Sequence, residues 1–402
     1  MRLKTLASAL TVFACACGSG DSSLPDASPP DDAAVTNDGG TRPDAATTHS
    51  DAGTGVDATA HVDSGGTGDA GLGDGPNVMF VTSATFTGNL GGLTGADATC
   101  ATAASAAGLP GTFVAWLSTS SVDAISRLGT ARGWVRADGQ PFVDTTADMV
   151  AGLIFYPPQV DEFGGYVFDA WIDTMTGTLA DGTRASATCS DWTSSATSDT
   201  GSVGFGITGA ASWTDTIDNA YTVPGCMGGE HLYCFQVDKQ IPVTVPAPTT
   251  RLAFVSTTLI AATGGLSAGD AACAKDAAAA KLSGTYLAMM GTSTMTATSR
   301  FSLTGSTWSR VDGALLWNYA KDIALIDPIT PITLQADGSV YTGDGWVGSG
   351  NSLSELGPWS CNDWSSSSST DTGMTGNATY AQWWLYQADS CDVMRPVFCF
   401  EE

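Results

Sequence analysis

The chain has 402 residues, with 41 acids against 15 bases and a net charge of −26. That length accommodates a leader and two ordinary domains. The charge excludes recognition of nucleic acid or a sulfated glycan, which needs clustered Lys and Arg.

The first residues read as a secretion signal, 1–16. Arg2 and Lys4 precede an apolar run, Leu6 to Ala16, that is too short to span a bilayer. The run ends Val12-Phe13-Ala14-Cys15-Ala16-Cys17-Gly18-Ser19. Small residues just before a cysteine resemble a bacterial lipobox, in which the thiol takes a diacylglycerol and the cysteine becomes the new N-terminus. Cleavage before Cys17 removes Cys15 and leaves eight other cysteines, an even number, whereas cleavage before Cys15 strands Cys17 as an odd thiol. Cys17 is therefore the expected anchor and Cys15 the alternative. No other segment approaches the ~20 apolar residues of a spanning helix, so contact with a membrane is expected only through the N-terminal lipid.

Residues 17–76 read as a disordered acidic tether of Asp, Ala, Gly, Thr, Ser and Pro. Asp-Ala recurs at 26, 44, 51, 57 and 69, and eleven Asp face a single base, Arg42. With no aromatic residue, such a run buries too little apolar surface to offset its ordering entropy, and its like charges extend it. His49 and His61 read as solvated residues. Removing the three bases and eleven acids that precede residue 77 leaves twelve and thirty in the remainder, a net charge of −18.

That remainder is a duplication, 77–238 and 251–402, joined by a proline-rich linker, 239–250. Phe80-Val81-Thr82-Ser83 matches Phe254-Val255-Ser256-Thr257, and Gly91-Gly92-Leu93-Thr94 matches Gly264-Gly265-Leu266-Ser267. Trp134-Val135-Arg136 matches Trp308-Ser309-Arg310, and Cys189-Ser190-Asp191-Trp192 matches Cys361-Asn362-Asp363-Trp364. The cysteines keep the same rhythm: gaps of 89, 37 and 8 in copy one, and of 88, 30 and 8 in copy two. In an exported chain this is a disulfide framework; there is no Cys-x-x-Cys, and His231 is the sole histidine of the two copies, which argues against zinc. Four cysteines allow three pairings per copy, and spacing does not choose among them.

Within a copy, Thr94 with Asp97, and Ser267 with Asp270, resemble capping boxes. They open alanine-rich helices expected over Ala98–Ala107 and Ala271–Ala280. Gly108 suits the residue after the first helix, while Lys281 is a poorer stop. Phe113 to Leu117 reads as a buried strand, followed by short strand-like runs at Gly133–Val135, Tyr166–Ile172 and Gly204–Ile207. Leu232–Phe235 and Val397–Phe400 read as closing strands. An early helix with many short strands and long loops predicts an α+β domain.

Asp97-Ala98-Thr99-Cys100, Ala106-Ala107-Gly108-Leu109-Pro110-Gly111-Thr112-Phe113 and Ala115-Trp116-Leu117-Ser118 resemble the start of the collagen endostatin domain. Cys189-Ser190-Asp191-Trp192-Thr193 and the final cysteines eight apart extend the resemblance over nearly all of 77–238 and 251–402, less closely in copy two, where Met289-Met290 replaces Trp116-Leu117. The chain is similar to the endostatin-like domains of unknown function found in tandem in bacterial surface lipoproteins. The resemblance implies two C-type-lectin-like folds with nested bridges: Cys100–Cys234, Cys189–Cys226, Cys273–Cys399 and Cys361–Cys391. It does not carry over heparin binding, since these domains are acidic, nor zinc binding through N-terminal histidines. The lectin calcium motifs Glu-Pro-Asn and Gln-Pro-Asp are missing, and Trp213-Thr214-Asp215 only partly resembles Trp-Asn-Asp.

Little points to catalysis. A serine or cysteine nucleophile needs a base, and His231 stands alone. Asp161-Glu162 is an adjacent carboxylate pair that would suit sugar hydrolysis, but neighbouring acids ordinarily form a solvated loop. Asp191 and Asp199 recur as Asp363 and Asp371; turn capping is preferred for them over calcium ligation. Trp192 and Trp364 suit the core, whereas Trp383-Trp384, without a full counterpart, would suit an exposed platform for a sugar or a partner. The frame agrees between copies and the loops do not, as expected of a scaffold whose loops carry specificity. The expected function is a non-catalytic surface binding or adhesion lipoprotein for a glycan or protein ligand, with no cofactor. The alternatives are a secreted carboxylate-dependent hydrolase and a structural envelope protein. Outer-membrane or cell-surface placement is expected, with a periplasmic or secreted protein as the alternative; the oligomeric state is open.

Overall fold

The computed structural model describes residues 74–167, 173–216, 222–381 and 383–402. The expected leader, Cys15, Cys17 and all but the last residues of the tether lie outside these, as do 168–172 of the strand expected at Tyr166–Ile172. The fold is mixed α+β, with short helices, several sheets and four disulfides.

Copy one is built on β1 (Asn77–Val81) and β8 (His231–Gln236), an antiparallel pair joining the beginning of the copy to its end. All five residues of β1 and all six of β8 are buried. Such doubly covered strands read as continuous apolar runs rather than alternating ones. β2 (Phe113–Ala115) pairs with β8, β3 (Trp134–Arg136) runs parallel to β1, and β4 (Pro141–Val143) closes that edge. On the other side of β8 lie β5 (Asp173–Met175), β6 (Thr200–Phe205) and β7 (Thr222–Pro224). The helices are α1 (Gly92–Ala106), α2 (Ala124–Arg127), α3 (Thr146–Val150) and a single turn, α4 (Cys189–Trp192).

Copy two repeats this with β9 (Arg251–Val255), α5 (Gly265–Ala279), β10 (Tyr286–Ala288), β11 (Trp308–Arg310), β12 (Asp344–Trp346), the turn α6 (Cys361–Trp364), β13 (Thr372–Asn377), β14 (Gln387–Ser390) and β15 (Phe398–Glu401). Its strands divide into two sheets, β10-β15-β9-β11 and β12-β13-β14. Among the described residues a single parallel bridge, Trp346 to Val397, joins them where β5 and β8 of copy one pair.

The two long helices correct the expected caps. Both begin several residues earlier, behind Gly91 and Gly264, and neither has a side-chain cap. Asp97 and Asp270 are therefore interior positions with another task. Asp97 accepts the Ala115 amide at 2.9 Å and both of its oxygens take Arg127 Nη2, at 2.6 and 2.7 Å. Asp270 holds Ala288 and Arg300 in the same way, at 2.9, 2.8 and 2.6 Å. Each arginine also donates to the carbonyl of the same strand residue. The carboxylate thus welds helix to strand, a contact stronger than a cap would be. Past the helix ends, Gly108 and Lys281 adopt the left-handed conformation, with φ of 71° and 60°.

The bridges are nested. Cys100 of α1 joins Cys234 of β8, and Cys189 of α4 joins Cys226; Cys273–Cys399 and Cys361–Cys391 do the same in copy two. In a chain-entropy account each long loop contributes about 5 kcal/mol and each short one about 4. Four such bonds fit an oxidising, extracellular environment. No helix among the described residues is long and apolar enough to cross a membrane.

The copies share an interface within one compact unit. Equivalent segments meet there. Thr330 Oγ1 donates to the Phe155 carbonyl at 2.8 Å, and Gln159 Nε2 to the equivalent carbonyl of Ile329 at 3.5 Å. Thr208 and Tyr380, also equivalent, form an antiparallel bridge. The wholly buried Arg310 reaches across to the Ile154 carbonyl at 2.8 Å, and Tyr156 Oη accepts the Leu315 amide at 2.7 Å.

Candidate functional site

The turns α4 and α6 are left-handed throughout: φ is 48°, 52°, 56° and 63° for Cys189 to Trp192, and 51°, 54°, 53° and 60° for Cys361 to Trp364. Left-handed helix costs L-residues roughly 1–2 kcal/mol each, so the surroundings must hold the turn. One anchor is the disulfide at its first residue. Another is the buried tryptophan at its last: Trp192 Nε1 donates to the Ser118 carbonyl at 2.6 Å and Trp364 Nε1 to that of Gly291 at 2.8 Å. The third is the aspartate. Asp191 accepts the Ser120 amide and hydroxyl at 2.6 and 2.7 Å, and Asp363 those of Ser293 at 2.7 and 2.8 Å.

These bonds hold both carboxyls below the ordinary carboxylate range. The Ser120 hydroxyl, then its amide, does so for Asp191; the Ser293 amide, then its hydroxyl, for Asp363. Asp199 is held down by the hydroxyls of Ser194 and Ser190. Asp371 accepts the Ser366 hydroxyl at 2.5 Å. All four candidate aspartates thus act as acceptors for nearby hydroxyls and amides. No three His, Cys, Asp or Glu side chains among the described residues are grouped to hold a metal ion. A polar groove does run past Ser120, Thr188, Asp191 and Asp199 in copy one.

Two expectations are corrected by burial. Trp383 is fully buried and Trp384 is 6% exposed, so neither is a platform. Trp383 packs on Phe398, with ring centroids 4.3 Å apart. Its counterpart is Trp213, which the two-residue difference in loop length conceals in the sequence. A Cβ on Gly204 would meet the Trp213 carbonyl at 1.8 Å, and one on Gly376 the Trp383 carbonyl at 1.9 Å. Trp213 is thus core rather than part of a calcium motif, and Thr214 accepts Trp116 Nε1 at 2.7 Å. Nor are Asp161 and Glu162 a solvated pair. Glu162 is 6% exposed and accepts the Ser83 amide and hydroxyl at 2.8 and 2.6 Å. Asp161 accepts the amides of Phe163 and Gly165, both at 2.9 Å, within its own turn. His231 is buried with Nδ1 2.6 Å from the Thr82 carbonyl.

A further cleft lies where sequence reading placed nothing, between the copies. It encloses about 580 Å³ and is lined by Gln159, Tyr166 and Ile207 of copy one and by Asp327, Pro328, Ile329, Tyr380, Ala381, Leu385 and Tyr386 of copy two. The walls are mainly apolar, in the size range of small-molecule sites, and clefts between domains are favoured places for them. Tyr380 and Tyr386 stack on one another at 5.6 Å and 23°. Tyr166 lies under the Arg136 guanidinium, 5.5 Å from the ring centre. Tyr166 and Tyr386 are 45% and 47% exposed. Asp327 is the one ionisable carboxylate among the lining residues, and loss of solvent pushes its carboxyl up from the ordinary range. No local motif announces this site: its residues come from four connections between elements, spread over 228 positions of sequence. Compared with known proteins, the chain matches no protein-family model and no curated protein.

Proposed function

We propose that this chain is an exported, lipid-anchored surface protein that binds rather than catalyses, and that the cleft between its two copies is the ligand site. The observation that carries this is the tyrosine-walled cleft itself, built jointly by two disulfide-braced copies. Hydrolysis of a glycoside requires two carboxylates flanking the bond; among the described residues Asp327 is the one carboxylate of the cleft lining, and the lining of the polar groove contains no histidine. A C-type-lectin-like, endostatin-like fold for each copy is supported by the pairing of first and last strands and by the bridge from the first helix to the last strand. Anchoring through Cys17 is supported by the lipobox-like run and the oxidising environment that the bridges fit.

The test is the full chain, purified with its bridges intact, on a glycan and matrix-protein array beside a panel of glycosidase and esterase substrates. Retention of a ligand that Tyr386→Ala abolishes is expected; robust turnover lost on a single Asp or Glu substitution would overturn the reading. For the anchor, Cys17→Ser should lose metabolic fatty-acid label. Label that persists there but vanishes in Cys15→Ser would move the anchor to Cys15.

A further inference from the structure

We propose that the Cys189–Cys226 bridge is a redox latch: a dithiol opens it ahead of the other three bridges, and its opening releases the left-handed turn of copy one. That turn is strained, because all four residues from Cys189 to Trp192 hold a positive φ that L-residues avoid. The bridge is the covalent tie at its first residue, so cutting it lets the backbone relax. The turn behind Cys361–Cys391 in copy two carries the same strain. The long bridges instead tie α1 to β8 and α5 to β15, regular elements with no such run. The short bridges also close loops of 37 and 30 residues against 134 and 126, which constrains the opened chain less. Strained or accessible bridges are the ones that thiols reduce first.

What separates the two short bridges is the segment after the third cysteine. In copy two it reads Cys391-Asp392-Val393-Met394-Arg395, and Arg395 pairs with Asp389 and, at 3.6 Å, with Asp344, pinning the segment to β12 and β14. In copy one it reads Cys226-Met227-Gly228-Gly229-Glu230. Glu230 and Arg395 hold the same place, bridged to Phe86 and Ile260, but a carboxylate cannot repeat the pairing with aspartates. The two glycines offer no side chain to anchor the segment. A hollow beside the bridge is lined by Gly88, Gly201, Gly225 and Gly228, none of which has a side chain to cover the sulfurs. Cys226 is 4% exposed, next to a Met227 that is 63% exposed, whereas Cys361 and Cys391 are 0% and 1%. Cys226 is therefore the sulfur attacked. A thiolate of the dithiol bonds to Cys226 Sγ, the bond to Cys189 breaks, and Cys189 leaves as a thiolate that takes a proton from water. The second thiolate of the dithiol then closes on its own first sulfur and expels the Cys226 thiolate, which is protonated in turn. The bridge gains two electrons and two protons, and the dithiol is oxidised to a cyclic disulfide.

The experiment is graded reduction of the full oxidised chain with dithiothreitol, without denaturant, followed by alkylation of the freed thiols and peptide mapping. Cys189 and Cys226 should be alkylated together at a dithiothreitol concentration at least about tenfold below that needed for Cys361 and Cys391. Cys100, Cys234, Cys273 and Cys399 should stay bridged at both concentrations. Arg395→Gln should bring the Cys361–Cys391 threshold down towards that of copy one. Release of the turn has its own readout: Trp192, fully buried in the oxidised chain, should become a chymotrypsin cleavage site once the latch is open and be protected again after reoxidation. Equal thresholds for the two short bridges, or loss of all four bridges in one step, would overturn the proposal. So would selective opening of Cys189–Cys226 that leaves Trp192 protected, since the bridge would then not hold the turn.

Discussion

The two copies solve the same mechanical problem with different residues. After the first strand the chain turns sharply, and the exposed amide and hydroxyl at that corner need an acceptor. In copy one the acceptor is Glu162, brought to Ser83 from a loop 79 residues away. In copy two it is Asp276 of helix α5, 18 residues from Thr258, at 2.8 and 2.7 Å. Both carboxylates are buried, at 6% and 5% exposure. What the fold demands is that a buried carboxylate meet these donors, not that one position supply it. Where the geometry is tighter, the copies do not differ: the Asp–Arg weld of helix to strand and the left-handed Cys-x-Asp-Trp turn recur bond for bond. Freedom in the loops, with the frame held, allows copy two to contribute seven of the ten cleft residues.

The comparison breaks most sharply at the disulfides. Replacing Cys100 with Cys234, or Cys273 with Cys399, by alanine should cost about 5 kcal/mol in either copy. Urea unfolding would show it, and a difference of more than about 2 kcal/mol between the two pairs would mean that the frame bears unequal loads. Next come the welds. Asp97→Ala and Asp270→Ala each strand an arginine side chain that is only 10% or 9% exposed, together with a strand amide. Each should cost about 2–4 kcal/mol; a loss below about 1 kcal/mol in thermal unfolding would reduce the weld to an ornament of the fold.

A smaller effect of opposite sign is expected past the long helices. Lys281 holds a left-handed φ that glycine adopts without strain, as Gly108 does in copy one. Lys281→Gly should stabilise by about 1 kcal/mol, and Gly108→Lys should destabilise by about as much. Equal melting temperatures for wild type and both variants would contradict this. The smallest effect concerns pH. Asp191 and Asp363 have lowered folded-state values. Their stabilisation is therefore present above the unfolded aspartate value, about 3.9, and is lost as pH falls through the lower folded value. An acid titration should show stability declining below about pH 4. Asp191→Asn should flatten part of that decline and Asp363→Asn an equal part; a slope unchanged in both would remove these carboxylates from the acid sensitivity.

Much of the fold was legible in the sequence. The duplication, the α+β character, the two alanine-rich helices and the buried closing strands all come from patterns that span a few residues or repeat at a fixed offset. The candidate site was not legible. Asp97 was visible as an acid near a helix start, but its partner Arg127 lies 30 residues on, and nothing local marks the pair. Trp383-Trp384 suited an exposed platform because it has no full counterpart in the sequence of copy one, yet both rings are buried and the Trp383 carbonyl packs closely on Gly376.

By itself the sequence determined that the chain carries two copies of one cysteine framework and an acidic, apolar-poor segment at 17–76, because composition, spacing and self-similarity are properties of the linear chain. Only the tertiary structure decided which cysteines pair, how a left-handed turn is held, and that Gln159, Tyr166, Asp327 and Tyr386 face one cavity. Those outcomes depend on contacts between residues far apart in sequence, where loop closure and packing, not local propensity, select the partner.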